Sequence, residues 1–307
     1  MSNQTVNVIS AEQDPAFHKL DVNNIVVELP KNTPAPGQKG VWVNIKYKYS
    51  NGKKDKLDKL KIQTSELFSY GISRYEETSP AKMSFAMVNR KLREAVANGE
   101  EIAENDQLDI KVEDETIKIL EDITEKVKQA MKETEMTKVL GKQRDKKWIS
   151  NVDSMEILKR KDQDNGIDSV YVYAKVVTTN NFMKTKFLML DDTEEEGVKD
   201  LEQDATIEKL IQKDVKCKAT AMLVIDSVFV GKEPYLQVKL SEAIISEFIE
   251  FKSKRNIIMP SRFRNKSYEK KPKAKLSDSD SDSDSDSTLP AKNKKVIGSD
   301  DSDSDSD

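Results

Sequence analysis

The chain has 307 residues, 36% hydrophobic and 35% charged, with a formal net charge of −4. That suits one large domain, or one domain with an insertion, built on a small core with heavily solvated helices or tails. A single cysteine, Cys217, excludes an internal disulfide and, with a single histidine, His18, a His/Cys zinc site; nucleophilic chemistry that needs a histidine would depend on this one residue in the N-terminal arm.

The net charge hides a partition. Residues 252–276 hold ten Lys or Arg and one acid, Glu269, for +9, whereas residues 277–307 hold ten Asp and three Lys, for −7. The remaining body therefore carries −6, so any polyanion site on it must be local. The acidic tail alternates Ser and Asp over 277–287 and largely repeats this over 299–307. A tail of this composition is expected to be disordered, and its serines have the downstream acids that acidophilic kinases accept. The run Lys270, Lys271, Pro272, Lys273 reads as a phosphate-binding arm, a nuclear-import signal, or both.

Taken in order, residues 1–24 read as a polar arm without a secretory signal, and 29–40 as a loop punctuated by Pro30, Pro34, Pro36, Gly37 and Gly40. Residues 41–49 (VWVNIKYKY) alternate, predicting a strand with Val41, Val43, Ile45, Tyr47 and Tyr49 on one face and Trp42, Lys46 and Lys48 on the other. A turn is expected at 50–53. Residues 60–76 read as extended, and 82–91 alternate again around Met83, Phe85 and Met87. Over 92–141 the pattern changes: Ile117, Leu120, Ile123, Val127 and Met131 recur at helical spacing, predicting an amphipathic helical insertion that Gly141 stops. Strands are then expected at 148–160 and 169–178 with a turn at 164–166, a strand at 184–190, an acidic loop at 191–197 and a short helix at 201–213. A closing hairpin pairs 215–230 with 235–245. Many strands, one helical excursion and no βα alternation predict an all-β barrel or sandwich with insertions.

No phosphate-cradling glycine loop occurs, because Gly141-Lys142 lacks an upstream glycine and a following Ser or Thr. The acidic loop (Asp191, Asp192, Glu194, Glu195, Glu196) could hold Mg²⁺ as part of a nuclease or accessory domain, but such runs are usually solvated loops, and neither a metal nor a cofactor is expected. Catalysis is not expected. The longest apolar run, 221–225, is too short to span a bilayer, so an intracellular protein without a membrane partner is expected.

Aromatic and cationic residues interleave on the predicted strands. Trp42 lies with Lys46 and Lys48; Phe68 and Tyr70 with Arg74; Lys82 flanks Phe85; Lys184 and Lys186 flank Phe187; and Lys216 and Lys218 share a face. Single-stranded nucleic acid needs this mixture, since bases stack on aromatics and cations track phosphates. The plainer alternative is that the aromatics are core and the lysines only solubilise outer faces, and Tyr47 and Tyr49 fit it best.

With these features placed, the chain resembles the single-stranded-DNA-binding proteins of large eukaryotic DNA viruses, which look like distant relatives of the phage replication protein of the same role. The likeness lies in Phe68-Ser69-Tyr70-Gly71, the strand from Lys82 to Arg90, the hairpin 215–225 with 236–245, and the acidic tail as a type of feature. It implies an OB-like five-stranded barrel over 41–250, with the insertion at about 92–141. An arm and loop (1–40), a basic linker (251–276) and the tail flank it. It also implies non-catalytic coating of single-stranded DNA, in the host cytoplasm or nucleus, and a tail that competes for the groove and recruits replication proteins. The phage relative ends in an aromatic residue, whereas this chain has none after Tyr268. The candidate contacts are Trp42, Lys46, Lys48, Phe68, Tyr70, Arg74, Lys82, Lys184 and Lys186, with a homodimer left open. The alternative is an acidic-tail scaffold or chaperone for histones or other basic proteins.

Overall fold

A 16-residue strand and a 17-residue strand, joined by a three-residue turn, hold the sheet together. They are β13 (Val215–Val230) and β14 (Pro234–Glu250) of a computed structural model that describes residues 7–30, 40–50, 55–74, 76, 79–142, 145–161, 168–179, 182–191, 197–201, 211 and 215–250. The basic linker and the acidic tail lie outside the described residues.

Before the hairpin come β1 (Ile9–Ser10), a 3-10 turn (Val22–Asn24), β2 (Ile25–Val27), β3 (Val41–Ser50), β4 (Asp55–Asp58), β5 (Leu60–Ser73) and β6 (Lys82–Ala86). Four helices follow: α1 (Arg90–Ala97), α2 (Glu104–Met131), α3 (Thr134–Val139) and α4 (Lys146–Asp153). Strands resume with β7 (Leu158–Lys161), β8 (Ser169–Val176), β9 (Thr178–Thr179), β10 (Phe182–Met183), β11 (Lys186–Leu190) and β12 (Val198–Asp200). The protein is mainly β, with a helical insertion between β6 and β8.

Five strands form a closed ring. β5 pairs with β6, β6 with β8, β8 with β14, β14 with β13, and β13 returns to β5. Every pairing is antiparallel except β8 with β14. The long strands change partner along their length: β13 pairs with β5 over Cys217–Ile225 and with β3 over Ser227–Val230, while β14 meets β8 at Lys239–Leu240 and β11 at Glu242–Ile245. Such curvature needs irregularities. Register shifts fall at Lys218/Ala219, Met222/Leu223 and Ile225/Ser227 in the hairpin, and between Ser69 and Ile72 in β5. At the latter, Gly71 takes φ 82°, a left-handed conformation that a side chain would resist, and its N–H donates to Ser69 Oγ (3.1 Å). The Ser69 hydroxyl donates in turn to the Ser84 carbonyl (2.8 Å), tying the bulge to β6.

Alternation decides what the sheet buries. Val43, Ile45, Tyr47 and Tyr49 of β3, Leu60 and Ile62 of β5, Met83 and Phe85 of β6, and Val172 and Ala174 of β8 are buried together. The predicted helical face is also buried: Leu120, Ile123, Val127 and Met131 of α2 join the same core, and α2 contacts β2, β5 and β7. Its opposite face, including Glu115, Lys118, Glu121 and Glu125, is exposed. Gly141, at φ 62°, follows α3, but the amphipathic helix itself ends earlier, at Met131, and α4 carries the helical segment past Gly141.

Three expectations need correction. Residues 148–160 are not one strand. Asp145 caps α4 by accepting the Trp148 N–H (2.7 Å), and Trp148 and Val152, four apart, are the buried face of a helix, leaving only β7 extended. The strand at 82–91 stops at Ala86, because Asn89 caps α1 by accepting from the Leu92 N–H (3.3 Å). The N-terminal segment is not merely a polar arm, since Val8 and Ile9 are buried and β1 runs parallel to β5. The turns at 51–53 and 164–166 lie outside the described residues, as does the short helix at 201–213 apart from Leu201 and Ile211.

Replacing Leu120 by Ala leaves a cavity where α2 meets the sheet and is expected to cost about 2–5 kcal/mol in urea unfolding. Asp145→Ala, which removes only a cap, is expected to cost about 1 kcal/mol in the same measurement.

Candidate nucleic-acid interface

The outward positions of β5, β6 and β8 make one surface. In register across the three strands, Phe68 faces Ala86 and Ala86 faces Tyr171, while Ser73 faces Lys82 and Lys82 faces Lys175. Tyr173 pairs with Ser84, next to Tyr70 on the bulged stretch of β5. The Phe68 and Tyr70 rings meet edge-on with centroids 4.9 Å apart, and Tyr70 lies 5.9 Å from Tyr171. Lys216, reaching across from β13, places its ammonium 5.3 Å from the Tyr70 ring and 5.8 Å from Phe68.

This surface is open and cationic. Tyr70 and Tyr173 are 46% and 45% exposed, far more than an aromatic held for packing requires. The middle strand contributes only Ser84 and Ala86 between the aromatic rows, so no bulky side chain separates them. Desolvation, and then the Tyr171 hydroxyl beside it, pushes the Tyr70 phenol above its usual pKa. Planar rings beside ammonium groups are suited to hold flat, anionic ligands.

Of the sequence-predicted contacts, Phe68, Tyr70 and Lys82 meet here, and Arg74 is exposed just past the end of β5. Trp42 does not join them. It stands 47% exposed on β3, in register with Phe229 of β13, which pairs with Tyr235 of β14. The three rings form a second row, with centroids 4.7 Å and 5.3 Å apart. Gly40 seats it: a Cβ there would lie 2.4 Å from the Phe229 ring and 2.7 Å from the Val230 carbonyl oxygen. The neighbouring cations are already engaged, Lys46 with Glu28 (2.6 Å) and Lys48 with Asp55 (2.5 Å). The hydrogen bond from Lys48 holds the Asp55 carboxyl below its usual range. Lys184 and Lys186 are exposed but belong to a different part of the sheet, where Lys186 has Glu242 as its ladder neighbour.

Tyr47 and Tyr49 are core, as the plainer reading held. The Tyr47 hydroxyl accepts from the Asp21 N–H (2.9 Å), and Tyr49 donates to the Lys59 carbonyl (3.2 Å). Burial drives the Tyr49 phenol pKa far up. Cys217 is equally internal, its thiol pushed up to about 11 by burial. Residues 192–196 of the acidic loop lie outside the described residues.

A cleft of about 580 Å³ opens beside the second row, lined among others by Trp42, Lys46, Lys175, Gln237 and Lys239. Lys239 is paired with Asp226 at 2.6 Å. A family model described as "Protein of unknown function (DUF2738)" matches residues 29–287. The chain belongs to the DUF2738 family. No curated protein and no solved structure matches it. Both aromatic rows and the cleft fall inside the DUF2738 match, and the family description assigns them no activity.

Sequence reasoning passed over Tyr171, Tyr173 and Lys175. The signal was present in the DUF2738 chain: in SVYVYAKV, Val170, Val172, Ala174 and Val176 take one face and Tyr171, Tyr173 and Lys175 the other, the same logic that singled out Trp42. Phe229 and Tyr235 had no comparable local signal, because only the hairpin register aligns them with Trp42.

Gly40→Ala forces Phe229 and the β13 backbone aside and is expected to destabilise the fold by about 1–3 kcal/mol in urea unfolding. Tyr49→Phe, which leaves backbone groups at Lys59 and Lys61 without their buried partner, is expected to cost about 1–3 kcal/mol, while Lys48→Ala changes stability by less than about 1 kcal/mol.

Proposed function

We propose that this chain is a non-catalytic single-stranded-DNA-binding protein acting in the replication, recombination or repair of a large DNA virus, and that its ring is an OB-like five-stranded barrel. The observation that carries the reading is the set of exposed Tyr70 and Tyr173 and half-buried Phe68 and Tyr171, with Lys82, Lys175 and Lys216, on four adjacent ring strands. Stacking of a base on such a ring is worth about 1–3 kcal/mol and tolerates any sequence, while the lysines follow the phosphates.

The strand order supports the fold. Counting ring strands along the chain, the first pairs with the second, the second with the third, the third runs parallel to the fifth, and the fifth and fourth close back on the first. An OB fold uses this Greek-key arrangement and binds oligonucleotides over its second and third strands, which here are β6 and β8. The helical insertion between those two strands makes the chain larger than a minimal OB fold.

The acidic tail supplies regulation in this proposal. A random coil of the tail's length, about thirty residues, has an r.m.s. reach of roughly 30 Å, enough in this proposal to return a Ser/Asp polyanion to the lysines. It competes with DNA there and recruits replication proteins, whereas the basic linker adds to affinity. Phosphorylation of the serines, at about −1.5 to −2 charges each, strengthens the competition.

Oligo-dT titration by fluorescence anisotropy at several salt concentrations tests this. Tyr70→Ala and Tyr173→Ala are each expected to lose about 1–3 kcal/mol of binding. Lys175→Ala should lower the slope of log K against log salt by about 0.7, one phosphate contact. Removal of residues 277–307 should tighten binding, most at low salt. Wild-type affinity in both tyrosine variants would sink the reading and favour the tail as the working element, in a scaffold for basic proteins.

A further inference from the structure

Resting on that reading, we infer that the DNA track has two aromatic stations, and that a single strand must pass from the β5–β6–β8 face through the cleft to reach Trp42, Phe229 and Tyr235. A line of three lysines joins them. Lys82 of β6 is in register with Lys175 of β8, and Lys175 with Lys239 of β14. The cleft is lined by both Lys175 and Lys239 and has Trp42 on its wall, so its surface runs from the last lysines of the first station to the first ring of the second. At about 3.3 Å per residue along strands and about 4.8 Å between them, the route from Tyr173 by Lys175 and Lys239 to Tyr235 covers roughly 25 Å. A very short oligonucleotide cannot cover that distance, but a longer one can.

Charge orders the two stations. Among the described residues Lys82 and Lys175 enter no ion pair, so a phosphate meets these two lysines without first displacing an acid. At the second, Lys46 is held by Glu28 and Lys239 by Asp226. These are partly exposed pairs of modest strength, and a phosphate already brought close by the first station can displace the carboxylates. Short ligands therefore occupy the first station, and the second engages only on strands long enough to reach it.

The two tryptophans make this measurable in the unmodified protein. Trp148 is buried and donates its indole N–H to the Met131 carbonyl (3.3 Å), away from solvent, so quenching of intrinsic fluorescence by stacked bases reports on Trp42. Full-length protein is saturated with oligo-dT of about four and of about sixteen nucleotides, the two ends of the site-size range for such folds. The longer oligonucleotide is expected to quench strongly, the shorter one little. In anisotropy, Trp42→Ala and, separately, Tyr235→Ala should weaken the longer ligand by about 5- to 150-fold per lost stacking contact while leaving the shorter one within about 2-fold. Thermal unfolding of both exposed-residue variants checks that they remain folded. Equal quenching by both lengths would place Trp42 in the primary site and overturn the inference, as would no quenching by either with binding intact. Failure of both oligonucleotides to bind the wild type would instead overturn the single-stranded-DNA reading itself.

Discussion

The closure of the ring through the β13–β14 hairpin is the constraint on which the rest depends. β13 holds β14 on one side and β5 on the other, so the first and last long strands of the sheet are bonded through one intermediary. Closure removes most free sheet edges and leaves each ring strand an inside and an outside. Every second side chain must then be apolar, and the inward residues Phe85, Met83, Val172, Ala174, Leu223 and Ile225 comply. The outward residues are released from packing, and Tyr70, Tyr173, Lys82 and Lys216 occupy that freedom.

The same constraint explains why identical residue types have opposite fates. Tyr47 and Tyr49 share the phase of Val43 and Ile45 and are buried, while Trp42, one residue out of phase, is exposed. Tyr171 and Tyr173 are out of phase with Val170 and Val172 and emerge beside Tyr70. Bulges modulate this. Around Gly71 the phase of β5 changes, so that Gly71 and Ile72 are both buried, and without that shift Phe68 and Tyr70 would not share a face with the regularly alternating β8 tyrosines.

How much of this was legible in the sequence follows from how local each signal is. The face of β3, the buried stripe of α2 and the closing hairpin rest on alternation, helical spacing and turn residues within a few positions, and they could be read directly. The segment 148–160 was misread because its helical evidence is a cap at Asp145 plus only two buried side chains, a short pattern that β-favouring Trp, Ile and Val obscure. Val8 and Ile9 were missed because two apolar residues in a polar stretch acquire meaning only when β5, more than fifty positions away, lies beside them. The division of the predicted contacts into two aromatic rows was beyond sequence reasoning altogether. It depends on β13 exchanging β5 for β3 partway along, a partner change marked in the chain by no residue type.

Charge completes the picture, because net charge describes this body poorly. α2 alone has nine acids against four lysines, so a −5 contribution sits on a single insertion helix within a body of −6. Fields between exposed charges decay over about 8 Å at physiological ionic strength. An acid therefore cancels a lysine effectively only at short range. Acids matter where they touch: Glu28 and Asp226 engage Lys46 and Lys239 directly, while Lys82 and Lys175 meet no such partner among the described residues. Among the described residues Lys82 and Lys175 thus keep a field that Lys46 and Lys239 share with their carboxylates. Acidic charge gathers on one insertion helix while the closed sheet sets lysines among aromatic rings, a local contrast that the net charge averages away.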